Sequence, residues 1–219
     1  MPVSSGTVVP SLAEQAYRTL TDQLVTLQIA PGSPLNDEQL ARELGVGRTP
    51  VREALKRLEA ERLVVAYPRR GTFATEVHLT DLGHVSEVRR QLEPLAAAAA
   101  ARRATTADRE LLAGLADLVA ERSGRPSTTP LELMRLDLRL HRAVYAATGN
   151  PYLESTLVSY DNLATRIWCL FLDRLPGLAG HVGEHSGLLH AIIDGDAERA
   201  AACATDHVTG FEAAIRAVL

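Results

Sequence analysis

Two short helical patterns separated by only four residues, Gly45 to Arg48, constrain this chain more than any other feature. The first pattern opens at Asn36, with Gln39 three positions on as a capping box, carries Leu40 and Leu44 on one face, and runs into Gly45, a residue suited to a left-handed helix stop. The second is expected to begin with Thr49 as its cap and Pro50 in its first position, where a missing N–H costs nothing. Its buried stripe is Val51, Ala54, Leu55 and Leu58. So short a connection leaves the two helices no choice but to cross at a steep angle. A preceding helix is capped by Ser11, carries Leu12, Ala16, Leu20, Leu24 and Leu27 at spacings of three and four, and ends at Pro31-Gly32. After the third helix, the β-prone runs Leu63 to Tyr67 and Thr72 to Val77 bracket Pro68-Arg69-Arg70-Gly71, a turn tipped by two guanidinium groups. Three helices and a basic hairpin make a winged helix-turn-helix, whose third helix enters the DNA major groove.

The formal net charge is −4, which argues against a general polyanion binder, but the charge is unevenly placed. From Arg48 to Arg70 seven basic residues, six of them arginine, face three acidic ones. Arginine supplies the bidentate fork that guanine O6 and N7 accept, whereas lysine is a point charge. Arg48, Thr49 and Arg52 fall in the turn and at the start of the third helix, where side chains and free N–H groups meet phosphates or base edges.

From about Thr80 strand signals vanish. Six helical patterns follow, at Thr80 to Arg103, Thr106 to Arg122, Pro130 to Thr148, Tyr152 to Leu175, Gly180 to Asp194 and Asp196 to Val218, with loops at Gly124 to Pro130 and at Pro176-Gly177. The alanine tract Ala96 to Ala101 reads as a closely packed helix, since alanine has the best helix propensity. The expected fold is mainly α: a winged helix-turn-helix over residues 1–77, then an all-α six-helix bundle over residues 78–219. Cys169 and Cys203 have no metal or redox spacing, no leader-like segment opens the chain, and no run of about 18 apolar residues occurs, so a soluble cytoplasmic protein without membrane contact is expected.

Four polar residues sit where the helical stripes call for apolar ones. Asp137 and His141 lie one turn apart in the inward series Met134, Asp137, Leu138, His141, Val144, Tyr145. His185 precedes Leu188, Leu189 and Ile192 by helical spacings, and His207 falls between Ala204 and Phe211. Burying these groups without partners costs several kcal/mol, and a divalent cation removes that cost. An Asp/His3 set suits Zn2+, Ni2+, Mn2+ or Fe2+ without selecting one; each histidine taken singly is better read as a core residue bonded to a carbonyl, and it is all four on inward faces that tip the balance to a metal.

The run Leu40-Ala41-Arg42-Glu43-Leu44-Gly45-Val46-Gly47-Arg48-Thr49-Pro50-Val51-Arg52-Glu53-Ala54-Leu55, continued by Arg57 to Leu63 and Arg70-Gly71, closely resembles the signature of GntR-family regulators. Gly47 stands where that family usually has serine, and Arg62 where a glycine usually ends the recognition helix. The resemblance implies DNA contacts at Arg48, Thr49, Arg52 and Gly71, with backbone contacts from Arg42 and Arg69. The second half resembles the FCD sensor domain of the FadR branch, in its six-helix VanR-like form. The matching residues are Arg89 with Leu92-Glu93-Pro94, His141 with Asn150-Pro151-Tyr152-Leu153, and Glu184-His185 through Gly195-Asp196 to His207. By that resemblance Asp137, His141, His185 and His207 hold the divalent metal ion, Arg89 pairs with a carboxylate effector beside it, and Asn162 and Arg166 line the same cavity, while His181 and His190 are offset from the four.

The function so implied is that of a transcription regulator. It would be a homodimer on a palindromic double-stranded operator, its affinity set by a small organic-acid or sugar-acid effector. Two other readings fit an Asp/His3 set: a metal-dependent hydrolase or isomerase fused to a DNA-binding module, which lacks any general-base motif here, and a protein-interaction platform with a structural metal. A non-enzymatic regulator is the expectation.

Overall fold

A computed structural model describes residues 10–125, 127–172, 174 and 177–219. The expected loop residues Pro126 and Pro176, and Leu175 at the expected end of a helix, lie outside them. The chain divides into two compact units between Glu76 and Val77.

The first unit comprises α1 (Leu12–Val25), β1 (Pro34–Leu35), α2 (Asp37–Leu44), α3 (Arg48–Ala60), β2 (Val64–Tyr67) and β3 (Gly71–Ala74). Ser11 accepts from the Glu14 N–H and so starts α1, whose Ala16, Leu20 and Leu24 are buried with Val51, Ala54 and Leu58 of α3. Asn36 caps α2 by accepting from Glu38 and Gln39, but the Gln39 side chain turns to Glu43 instead of closing a capping box. Gly45 takes φ +65 and stops α2. The third helix begins earlier than the Thr49 cap implies: Arg48 is its first residue, Gly47 its N-cap without a side-chain hydrogen bond, and Pro50 sits in its first turn. The helix can start there because proline is tolerated throughout the first turn, where no N–H has an intrahelical partner. The hairpin of β2 and β3 pairs Val64 with Ala74 and Tyr67 with Gly71, and β1, which no sequence pattern announced, adds to the outer edge of β3 in the order β1-β3-β2. A two-residue strand is too short to show alternation.

The second unit is all helical among the described residues: α4 (Asp81–Arg103), α5 (Thr106–Ser123), α6 (Pro130–Ala146), α7 (Pro151–Cys169), α8 (Leu178–Asp194) and α9 (Ala197–Val218). Thr105 and Thr129 form full capping boxes with Asp108 and Glu132, Asn150 and Asp196 cap α7 and α9, and Thr80 precedes α4 without capping it. The alanine tract is buried in the core, its small side chains allowing α4 to lie close against α9. Helices α4, α6, α7, α8 and α9 pack around one another, and the polar residues they bury converge in their midst.

Candidate DNA surface and metal centre

On the first unit, α3 and the wing share a concave face lined by Asp37 of α2, Arg52 and Lys56 of α3, and Gly71 and Thr72 of β3. Arg48, Thr49, Arg52, Arg42, Arg69 and Gly71 are all exposed. The arginines are not loose. Arg52 Nε donates to Asp37 Oδ2 at 2.5 Å, Arg48 Nη2 reaches Asp37 Oδ1 at 3.2 Å, and Arg42 pairs with Glu38 at 3.1 Å. The two guanidinium groups hold the Asp37 carboxyl below its ordinary value, Arg52 first. Because Gly47 contributes no side-chain oxygen, the first N–H groups of α3 keep their donors open to a phosphate. At the wing tip Arg69 adopts φ +62 and Gly71 φ +98, and the Arg70 guanidinium stands 5.7 Å from the Tyr67 ring centre. Arg62 takes φ +61 in the place where a glycine was expected. The Leu63 N–H still bonds the Leu58 carbonyl and the Arg62 N–H the Glu59 carbonyl, so the turn geometry survives at the cost of a left-handed arginine.

In the second unit Asp137 and His141 of α6, His185 of α8 and His207 of α9 are buried, and one ligand atom from each lies within 4.8 Å of the others. His185 Nε2 is 3.2 Å from His141 Nε2 and 3.6 Å from Asp137 Oδ1, and His141 Nε2 is 3.9 Å from Asp137 Oδ2. Donors about 2.0–2.1 Å from a tetrahedral ion stand about 3.3 Å apart, which these separations approach.

The outer hydrogen bonds decide which nitrogens are free. His185 Nδ1 lies 3.2 Å from the Val182 carbonyl, which can only accept, so Nδ1 carries the proton and Nε2 a lone pair. His141 Nδ1 lies 3.0 Å from the Tyr145 hydroxyl, which also hydrogen-bonds Glu93. With the hydroxyl donating to that carboxylate, its oxygen accepts from His141 Nδ1 and a second lone pair is left on Nε2. Burial foremost holds His141, His185 and His207 below the usual histidine range, so the imidazoles are neutral. Two neutral nitrogens presenting lone pairs to each other at 3.2 Å repel unless a cation lies between them. The donor set fits a divalent ion on this ground, and further because Asp137 Oδ1 and His207 Nδ1 are buried without a hydrogen bond among the described residues.

Beside the four lies a network that includes residues sequence reasoning had passed over. Arg89 of α4, 2% exposed, donates to Glu93 at 2.5 Å, lies 3.7 Å from Asp161 of α7, and stacks over Phe211. Burial works against its charge, but Glu93, Tyr145 and Asp161 outweigh it and hold the guanidinium above its ordinary value. Burial, then Asp137 and Glu93, push the Asp161 carboxyl well above the carboxylate range despite Arg89. Glu93, Asp137 and Asp161 thus gather three buried carboxyl groups around the four and the Arg89 guanidinium. Asp161 was legible: with Leu157, Ala164 and Trp168 it falls on the buried stripe of α7, as Asp137 does on α6.

The cavity among these helices is lined by Arg89, Asp137, Asp161, Thr165, Trp168, His181 and His207 with Met134 and Phe211, and it has room for about one water-sized body. Asn162 and Arg166 are buried one position further round α7, Asn162 accepting from Arg142 at 3.3 Å. His181, set aside on spacing, stacks on His207 at 4.3 Å and on Trp168 at 4.5 Å, whereas His190 is exposed and bonded to the Ser186 carbonyl. One turn separates His181 from His185, and that i,i+4 relation was the missed signal.

A three-helix head with a wing, followed by a helical bundle with a buried Asp/His3 cluster, defines a two-domain DNA-binding regulator. The chain belongs to the GntR family of bacterial regulatory proteins and carries an FCD domain: residues 12–74 match the former and residues 84–210 the latter. It is 28% identical over 192 residues to an uncharacterized HTH-type transcriptional regulator in an unstable DNA locus of Streptomyces ambofaciens, covering 88% of this chain and 80% of that one. It is 29% identical over 208 residues to the galactonate operon transcriptional repressor of Escherichia coli K12, covering 84% and 89%. Among solved structures it is similar to E. coli McbR/YncC, with TM-score 0.81 at 23% identity over 95% of this chain and 99% of that one, which shows a shared fold. The protein is therefore a DNA-binding transcriptional regulator with an effector-binding FCD domain, and not an enzyme. Among the described residues no helix is long and apolar enough to cross a membrane.

Proposed function

We propose that the chain is a homodimeric regulator of a palindromic operator, that Asp137, His141, His185 and His207 hold a divalent metal ion (Zn2+, Ni2+, Mn2+ or Fe2+), and that an organic-acid or sugar-acid effector binds beside it. The observation that carries this reading is the facing pair of Nε2 lone pairs on His141 and His185 beside an unbonded Asp137 oxygen. The ion would supply a fixed positive charge for a ligand's carboxylate or hydroxyl. Similarity to a repressor named for a sugar acid supports that ligand class.

Arg89 would meet the effector carboxylate only by giving up Glu93 or Asp161, and the cavity would have to widen beyond one water-sized body. Where it is Asp161 that gives way, effector binding separates α4, which carries Arg89 and Glu93, from α7, which carries Asp161; Asn162 and Arg166 support that wall from behind. Since α4 follows the wing in sequence through residues 75–80, its displacement is the route by which the effector reaches the DNA-binding unit, where Arg48, Thr49, Arg52 and Gly71 contact the operator and Arg42 and Arg69 its backbone. The tight cavity equally favours a second reading, in which the metal is structural and the helical domain only a dimerisation platform.

Elemental analysis of the purified protein should find one divalent ion per chain, lost in the His141→Ala/His185→Ala double variant. A panel of organic and sugar acids, read by operator binding in fluorescence anisotropy, should contain a member that changes affinity by about 5- to 150-fold. Metal retention without any responding or thermally stabilising acid would select the platform reading, and full metal retention by the double variant would defeat the site.

A further inference from the structure

The buried quartet is almost closed to solvent, with side-chain exposures of 7% for Asp137, 2% for His141, 1% for His185 and 5% for His207, so an ion needs a way in. A second donor group adjoins it and shares one member. His181, Glu184 and His207 bring one ligand atom each within 4.8 Å of one another. Glu184 Oε2 lies 3.5 Å from His181 Nδ1 and 3.7 Å from His207 Nδ1. His207 Nδ1 is buried, makes no hydrogen bond among the described residues, and faces Glu184 of this outer group. Exposure is graded across the triad: the Glu184 side chain is 56% exposed, His181 11% and His207 5%. The ring of His207 in turn stands 4.3 Å from His185 and 5.1 Å from His141.

We infer that His181, Glu184 and His207 Nδ1 form an outer divalent-cation site through which the ion is loaded into, and released from, the buried Asp/His3 site. Glu184 offers the carboxylate that first draws a hydrated cation from solvent, since an exposed charge at the mouth of a low-dielectric cleft concentrates its counter-ion. His181, held flat between Trp168 and His207, supplies a nitrogen that takes over as water is shed. His207 belongs to both groups, so the ion passes inward without leaving protein ligands. A station on the path changes entry and exit alike and leaves the equilibrium constant alone, whereas a residue that merely orients His207 changes the equilibrium constant.

The inference rests on the metal reading above, and one experiment separates their failures. Full-length protein stripped by a chelator is mixed with Zn2+ in a stopped-flow instrument with a chromophoric zinc indicator, and the equilibrium affinity is measured by competition with the same indicator. Glu184→Gln and His181→Phe, which preserve size and stacking, should each slow both loading and release by about tenfold or more while the affinity stays within about twofold. His141→Ala is the control that abolishes equilibrium binding. Unchanged loading and release rates in both variants would overturn the loading site, as would a loss of affinity expressed only as faster release, which would make Glu184 a support for His207. Absence of tight Zn2+ binding by the unaltered chain would remove the buried site and the loading site together.

Discussion

His185 Nε2 lies 3.2 Å from His141 Nε2, and the outer bonds of both rings, to the Val182 carbonyl and the Tyr145 hydroxyl, turn a lone pair from each toward the other. This contact is unfavourable by itself and becomes favourable when a cation fills it. Divalent metal should therefore raise the melting temperature in a concentration-dependent way, by about 2.7 kcal/mol of stability at a hundredfold excess over Kd. The shift should vanish in the His141→Ala/His185→Ala variant; calorimetry with and without Zn2+ checks it, and an equal shift in both proteins would exclude the site.

On the DNA face, Arg52 and Arg69 should fail differently when replaced. Arg52→Ala removes a fork at the start of α3 and should erase the preference for operator over random duplex, whereas Arg69→Ala at the wing tip should weaken all duplexes alike and reduce the salt slope by about 0.9. Asp37 ties down both Arg48 and Arg52, so Asp37→Ala should strengthen binding to random DNA while narrowing the operator preference. Anisotropy titrations at several salt concentrations distinguish these outcomes.

Both departures from the family pattern in the first unit have local consequences. Arg62 at φ +61 carries a left-handed strain that glycine lacks, so Arg62→Gly should stabilise the DNA-binding unit by up to about 1 kcal/mol. A Cβ at Gly47 meets only the Pro50 ring, at 3.6 Å from Cδ and 3.9 Å from Cγ, both ordinary contacts, so Gly47→Ser should be accommodated and add a few tenths of a kcal/mol by capping α3. Urea unfolding measures both; destabilisation by Arg62→Gly would refute the strain argument.

At the back of the recognition helix, Tyr17 of α1 donates to Glu61 at 2.8 Å, and the Arg57 guanidinium stands 3.7 Å from the Tyr17 ring centre while bonding Glu14 at 2.7 Å. Burial first, and Glu61 second, push the Tyr17 phenol up to about 12 from an ordinary 10.0. The folded state thus keeps a proton that the unfolded chain releases earlier. The contribution is complete below pH 10 and is lost as pH rises from 10 through 12. The stability difference between the unaltered chain and Tyr17→Phe should shrink across that window, as denaturant midpoints between pH 8 and 11.5 would show; a constant difference would contradict the linkage.

Much of this architecture was written in periodicity and punctuation. Ser11, Asn36, Gly45, Thr105 and Thr129 mark helix ends by local hydrogen bonding or backbone preference, and a local rule acts before any tertiary contact forms. The placement of Asp137, His141, His185 and His207 on inward faces followed from the same spacing rule. What periodicity could not supply was distance between helices. That Arg89 is held by Glu93 and Asp161, that His181 stacks on His207, and that β1 joins the wing each depend on how separate elements pack, which is set by the shapes of many side chains at once. Helix faces and turn chemistry are thus properties of the chain; which charges meet, and how little room remains between them, are properties of the packed fold.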